Sequence, residues 1–139
     1  MDDVLLNKAE VIERCLARIE EEYRGHEDEL EHNYTRQDAI VLNLQRACEA
    51  AIDACMHLVR VRGLGVPQRS RDAFLMLERA GLLAPDLSRA MCAMVGFRNI
   101  AVHQYQDMSM PVLRSILDHR LDDFRRLACV LRRLAGETA

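Results

Sequence analysis

Apolar residues recur every three or four positions along almost the whole chain, the spacing that gathers them on one face of a helix. Leu5, Ala9, Ile12, Leu16, Ile19 and Tyr23 form the first stripe. It predicts a helix ending near Gly25, followed by a polar stretch over 26–34. Thr35 with Asp38 three residues later reads as a helix start. A long second helix follows, with Ile40, Leu44, Ala47, Ala51, Cys55 and Leu58 on one side. Gly63, Gly65 and Pro67 should stop it. Ser70 can cap a short third helix over 71–80 that Gly81 ends. Pro85 and Asp86 open a fourth, carrying Leu87, Met91, Met94, Ala101 and Val102. Ser109 and Pro111 open a fifth. Its stripe runs through Leu113, Ile116, Leu117, Leu121, Phe124, Ala128, Leu131 and Leu134 to Gly136. No segment sustains an alternation of two. The expected fold is all-α: an antiparallel bundle of four long helices and one short one.

The length of 139 residues suits one domain over 1–139, and a 50% hydrophobic content is enough for one core. No apolar run is long enough to span a bilayer, and the acidic start Met1-Asp2-Asp3 does not read as a signal peptide. A cytoplasmic location, away from any membrane, is the default expectation. The five cysteines, Cys15, Cys48, Cys55, Cys92 and Cys129, include no Cys-x-x-Cys pair and lie among apolar neighbours. They read as reduced core residues rather than a disulfide framework or a zinc site, and no metal or cofactor is expected.

The net charge of −3 gives no bulk attraction for nucleic acid. Lys8 is the only lysine among 19 basic residues. Arginine pairs at 60/62, 69/71, 125/126 and 132/133 read mainly as solvated helix faces. A local phosphate site stays open, because the guanidinium presents a planar fork of donors. His26 and His32 read as solvated residues of an acidic turn.

Candidate chemistry concentrates in Arg98-Asn99-Ile100-Ala101-Val102-His103-Gln104-Tyr105. At about 100° per residue, Tyr105 falls about 20° from Arg98 if the helix stays regular, Asn99 about 100° round and His103 about 140° round. Asn99 and His103 are four apart, so their side chains can meet. These types suit metal-independent RNA cleavage by the 2′-hydroxyl. Histidine can move a proton near neutral pH, arginine can hold the phosphate charge, and asparagine can fix the imidazole or donate to phosphate. One histidine cannot be acid and base in the same step, which points to a dimer with two copies of the motif at one cleft. By spacing alone, a half-buried helix with a surface arginine and a hydrogen-bonded histidine fits as well.

The Arg98-x4-His103 spacing resembles the R-x4–6-H signature of the HEPN superfamily of helical ribonucleases. The run Val95 to Tyr105 is similar to the R-N-x-x-x-H-x-Y segment of the HepT-like toxins. So are Gln37-Asp38-Ala39-Ile40-Val41-Leu42-Asn43-Leu44-Gln45-Arg46, Gly65-Val66-Pro67-Gln68 and Arg71-Asp72-Ala73-Phe74. The likeness spans essentially the whole chain. It implies a homodimeric, metal-independent endoribonuclease acting on RNA, the toxin of a type VII toxin–antitoxin pair. Arg98, Asn99 and His103 would be its active-site residues. The implied partner is an MntA-type minimal nucleotidyltransferase, an antitoxin that transfers adenylate to the tyrosine of His-x-Tyr, here Tyr105. The competing reading is a non-catalytic helical module bound to a nucleotidyltransferase. A nucleotide-binding regulator is disfavoured, since Gly63-Leu64-Gly65 lacks the Lys and Ser/Thr of a phosphate loop.

Overall fold

The computed structural model describes residues 1–103 and 105–137, all of whose regular structure is helical. The elements are α1 (Asp3–Tyr23), α2 (Tyr34–Val61), α3 (Ser70–Arg79), α4 (Pro85–His103), α5 (Met110–His119) and α6 (Leu121–Glu137). Short 3₁₀ turns lie at Glu27–Glu29 and Tyr105–Asp107. The helices pack as an all-α bundle, as the periodicity predicts. No described helix is long and apolar enough to cross a membrane.

α1 begins at a cap. Asp2 Oδ1 accepts hydrogen bonds from the N–H groups of Val4 (3.0 Å) and Leu5 (3.2 Å), two of the donors a helix start leaves unpaired. Its other oxygen meets His57 Nε2 at 2.7 Å, and its own N–H reaches Ala135 O at 3.0 Å. The first residues are thereby tied to both α2 and α6. All six residues of the expected α1 stripe are buried. At Gly25 the chain takes φ +80°, a left-handed turn that glycine adopts without a Cβ penalty.

α2 is the centre of the bundle, packed by α1, α3 and α4. Its expected stripe is buried, and so are Val41, Cys48, Ile52 and Val59. A helix covered on several sides buries more than one stripe. Its small residues Ala47, Ala50, Ala51 and Ala54 allow close approach. It starts earlier than the sequence suggests: the cap is Asn33, whose Oδ1 accepts from Arg36 N at 3.2 Å, and Thr35 already lies inside the helix.

Two further expectations change. Ser70 is the first residue of α3 rather than its cap; the Asp72 carboxylate closes the end by accepting from Gln68 N and Arg69 N, both at 3.0 Å. The expected fifth helix is two helices, because the chain turns at Arg120. The apolar stripe keeps its phase through this break, with no proline or glycine to signal it. The turn follows from tertiary contacts. Tyr23 Oη donates to Asp118 at 2.7 Å, and Arg114 donates to Glu27 O at 2.9 Å, holding α5 against the end of α1. Burial and the Asp118 carboxylate push the Tyr23 phenol up to about 12. Ser109 does cap α5, accepting from Val112 N at 3.3 Å.

The acidic run that ends α1 is neutralised by arginines. Glu20 meets Arg125 at 3.0 Å, Glu22 meets Arg36 at 3.3 Å, and Glu31 meets Arg114 at 3.7 Å. Arg126 pairs with Asp86, and Arg132 with Glu13. Half of the clustered arginines, Arg62, Arg125, Arg126 and Arg132, are therefore in surface ion pairs, each of small worth. Of the cysteines, all free, Cys15, Cys48 and Cys55 are core residues as expected. Cys92 is half-buried, and Cys129 is exposed on the solvent flank of α6.

Candidate active site

The last three turns of α4 hold the motif. Met94, Val95, Phe97 and Ala101 are buried and anchor this part of the helix. Asn99, Ile100, Val102 and His103 are exposed. His103 is the last residue of α4, and its side chain has no hydrogen-bond partner among the described residues.

Arg98 is half-buried. Its Nη2 donates to Ser70 Oγ at 3.3 Å, while its Nε is buried without a hydrogen bond. The guanidinium also lies near Cys48 of α2, whose thiol is pushed far up by burial while the Arg98 charge pulls the other way. Arg98 is thus held from behind by α3 and lies close to α2. Next to it, Arg71 Nε donates to Cys92 O at 3.1 Å, and its guanidinium runs beside Gly96, where a Cβ would meet Nη2 at 3.1 Å. The α3–α4 seam therefore carries two guanidinium groups.

Tyr105 does not follow the line extrapolated from Arg98. α4 stops at His103, so the 100° increments stop there too, and Tyr105 sits in the following 3₁₀ turn. Gln104, between them, lies outside the described residues. The Tyr105 hydroxyl turns to α2, donating to Asp38 Oδ1 at 2.6 Å, with Gln37 Oε1 at 3.5 Å. Burial, then the Asp38 hydrogen bond and charge, raise the Tyr105 phenol above its ordinary value. Gln37 is itself buried and fixed: its Nε2 donates to Leu30 O at 2.9 Å.

The structure keeps Arg98, Asn99 and His103 on α4 and takes Tyr105 off it. Asn99 and His103 share the exposed flank of α4, Arg98 is braced by Ser70, and Tyr105 is carried to Asp38. Sequence reasoning read Ser70 and Asp38 as helix-start residues, Asp38 also falling in a HepT-like run, and gave neither a place in the site. Nothing in the sequence places either beside the motif, because both contacts cross between helices. Of the remaining histidines, His57 serves the Asp2 cap and His26 Nδ1 pairs with Glu29 at 2.8 Å.

Residues 12–131 match the family model described as ribonuclease HepT-like. The chain belongs to the HepT-like family. It is 41% identical to the mRNA nuclease HepT of Shewanella oneidensis over 132 residues, which is 95% of this chain and 98% of that protein. Its fold matches the tri-AMPylated Shewanella oneidensis HEPN toxin, solved in complex with an MNT antitoxin. The TM-score is 0.90 at 41% identity, over 96% of this chain and 99% of that one. A toxin–antitoxin structure with AMP-PNP matches with a TM-score of 0.89 at 40% identity, over 94% and 99%. These likenesses cover the whole bundle, so the HepT-like assignment does not hang on the Arg-x4-His spacing.

A groove of about 710 Å³ lies beside the motif, between α4 and the α5–α6 pair. Phe97, Ile100, Val112 and Ile116 line it. Ile100 is 39% exposed and Val112 53%, so large apolar side chains meet solvent on the flank next to Asn99 and His103.

Proposed function

We propose that this HepT-like chain is a metal-independent endoribonuclease and the toxin of a type VII toxin–antitoxin pair, working as a single domain in a homodimer. The observation that carries the reading is a guanidinium braced from behind, Arg98, with Asn99 and His103 exposed on the same stretch of α4. This is a cation fixed for a phosphate next to a proton carrier open to solvent. In the reaction the substrate's 2′-hydroxyl attacks the adjacent phosphorus, and the bond to the 5′-oxygen breaks. One His103 takes the 2′ proton, and the other protonates the leaving oxygen. Arg98 stabilises the charge that builds on the non-bridging oxygens, and Asn99 holds the imidazole or donates to the phosphate. Two histidines require two chains. The apolar flank of α4 at Ile100 and Val102 supports burial against a second copy.

The partner is a nucleotidyltransferase antitoxin of the MNT type, by likeness to the Shewanella complex. It silences cleavage by adenylating Tyr105. Two residues of backbone reach no more than about 7 Å. An adenylate on Tyr105, two residues beyond His103, adds a phosphodiester charge and a base to the segment that carries the motif.

Two measurements test this. Unmodified protein should cleave RNA equally with and without chelator, and incubation with the cognate antitoxin and ATP should add adenylate mass to Tyr105 and stop cleavage. The Tyr105→Phe variant should take up no adenylate and escape silencing. A bare, unmodified protein that cleaves no RNA yet binds the antitoxin would make the chain a non-catalytic interaction module.

A further inference from the structure

We propose that Asp38 of α2 is the proton acceptor when Tyr105 is adenylated, so that the HepT-like chain supplies the base for its own modification. The inference rests on the reading of Tyr105 as the modified residue and adds a residue to that reaction.

A tyrosine attacks phosphorus only as its proton leaves. An ordinary phenol, with a pKa near 10, is almost fully protonated at neutral pH. The Tyr105 phenol is held higher still, by burial and by Asp38, so ionisation before attack is the wrong route. The proton must depart as the new bond forms, to a group already in hydrogen-bond reach. Among the described residues the hydroxyl has two acceptors. Asp38 Oδ1 at 2.6 Å is within the range of a general base. Gln37 Oε1 at 3.5 Å is at the edge of a hydrogen bond and is an amide, which cannot hold the proton. The hydroxyl's single proton therefore lies on the line to Asp38.

The placement also suits an outside enzyme. Tyr105 is 37% exposed and Asp38 is exposed, so the pair sits at the surface. A nucleoside triphosphate held by the antitoxin can reach the hydroxyl from solvent. In the step, the bond from Tyr105 Oη to the α-phosphorus forms. The bond from that phosphorus to the bridging oxygen of the β-phosphate breaks, and pyrophosphate leaves with the electron pair. The Tyr105 proton passes to Asp38 and then to water. A weak base serves here, since the phenol becomes strongly acidic as its oxygen bonds to phosphorus.

The experiment uses the full, unmodified chain from cell-free translation, with saturating cognate antitoxin and ATP. Single-turnover rates are read by intact mass and the site by peptide mass spectrometry. Asp38→Asn keeps an acceptor oxygen but cannot take the proton. Its rate should fall about 100-fold or more, the usual worth of a general base. Its residual rate should climb about tenfold per pH unit, where the wild type is level, because hydroxide then removes the proton. Asp38→Glu should recover part of the rate. If Asp38→Asn is modified on Tyr105 within a few-fold of wild type and with the same pH profile, Asp38 only positions the hydroxyl and the assignment is overturned. A faster variant overturns it too, making the hydrogen bond a restraint on Tyr105. If wild-type protein takes adenylate only on another residue, the Tyr105 reading falls and Asp38 falls with it. Modification of Tyr105 at equal rates sinks Asp38 alone.

Discussion

Arg98 and Ser70 meet across the seam between α4 and α3, with the arginine Nη2 3.3 Å from the serine hydroxyl oxygen. A long, flexible cation is thereby tied to the first residue of a neighbouring helix. The tie lowers the entropy Arg98 must lose when it grips a phosphate. Ser70→Ala should lower RNA cleavage about fivefold, matching a lost hydrogen bond of about 1 kcal/mol. Arg98→Lys should lose about 100-fold or more, although the charge remains, because an ammonium cannot form two parallel bonds to phosphate. Initial rates on one RNA substrate rank the two. A lysine variant that outperforms Ser70→Ala would show that the fork geometry is irrelevant.

His103→Ala should abolish cleavage and leave the fold intact. The side chain is exposed, ends its helix and has no hydrogen-bond partner among the described residues. Its removal should change stability by no more than about 0.5 kcal/mol, as for most surface substitutions. Circular dichroism melts and RNA gels on the same sample decide this. A variant that unfolds would make His103 structural.

Ile100→Glu should separate the proposed dimer. Ile100 is apolar and exposed on the outer flank of α4. A carboxylate there is harmless in a monomer and unpaired in an interface of two copies. Sedimentation should report a folded monomer with little cleavage. An active monomer would mean that one copy carries both proton transfers, and an unchanged dimer would place the interface elsewhere.

Asp2→Ala should destabilise the protein by about 1–2 kcal/mol at neutral pH through loss of the α1 cap. Burial of the Asp2 carboxyl favours its neutral form. The hydrogen bond from His57 and the N–H groups of Leu5 and Val4 outweigh it, holding the carboxyl below its usual range. A carboxyl lowered on folding stabilises above its unfolded pKa, about 3.9. That contribution is lost as the pH falls through the lower folded value. Denaturant titrations at several pH values should therefore show wild type and variant converging in acid. A gap that stays constant would rule out ionisation of Asp2 as its source.

The legible parts of the chain are those set by local physics. Stripes repeating every three or four residues mark the helices because a helix face needs no distant partner to be recognised. Ser109 was readable as a cap and Pro85 as a helix start for the same reason. The motif residues stood out because their chemistry is concentrated in eight consecutive positions. The break at Arg120 was not readable, since the stripe passes through it in phase. Its cause, the contact of Tyr23 with Asp118, joins residues 95 apart.

By itself, the sequence determined an all-helical chain, the core stripes and the Arg98, Asn99 and His103 set on one helix. Each of these depends on spacing along a single element. The tertiary structure alone decided which side chains brace or engage that set. Ser70 behind Arg98 and Asp38 against Tyr105 arise only when α2, α3 and α4 pack together, and the exposed flank at Ile100 lies on the groove that α4 forms with α5 and α6. The helical period carries no information on contacts between helices, and it ceases to apply where α4 ends, at His103.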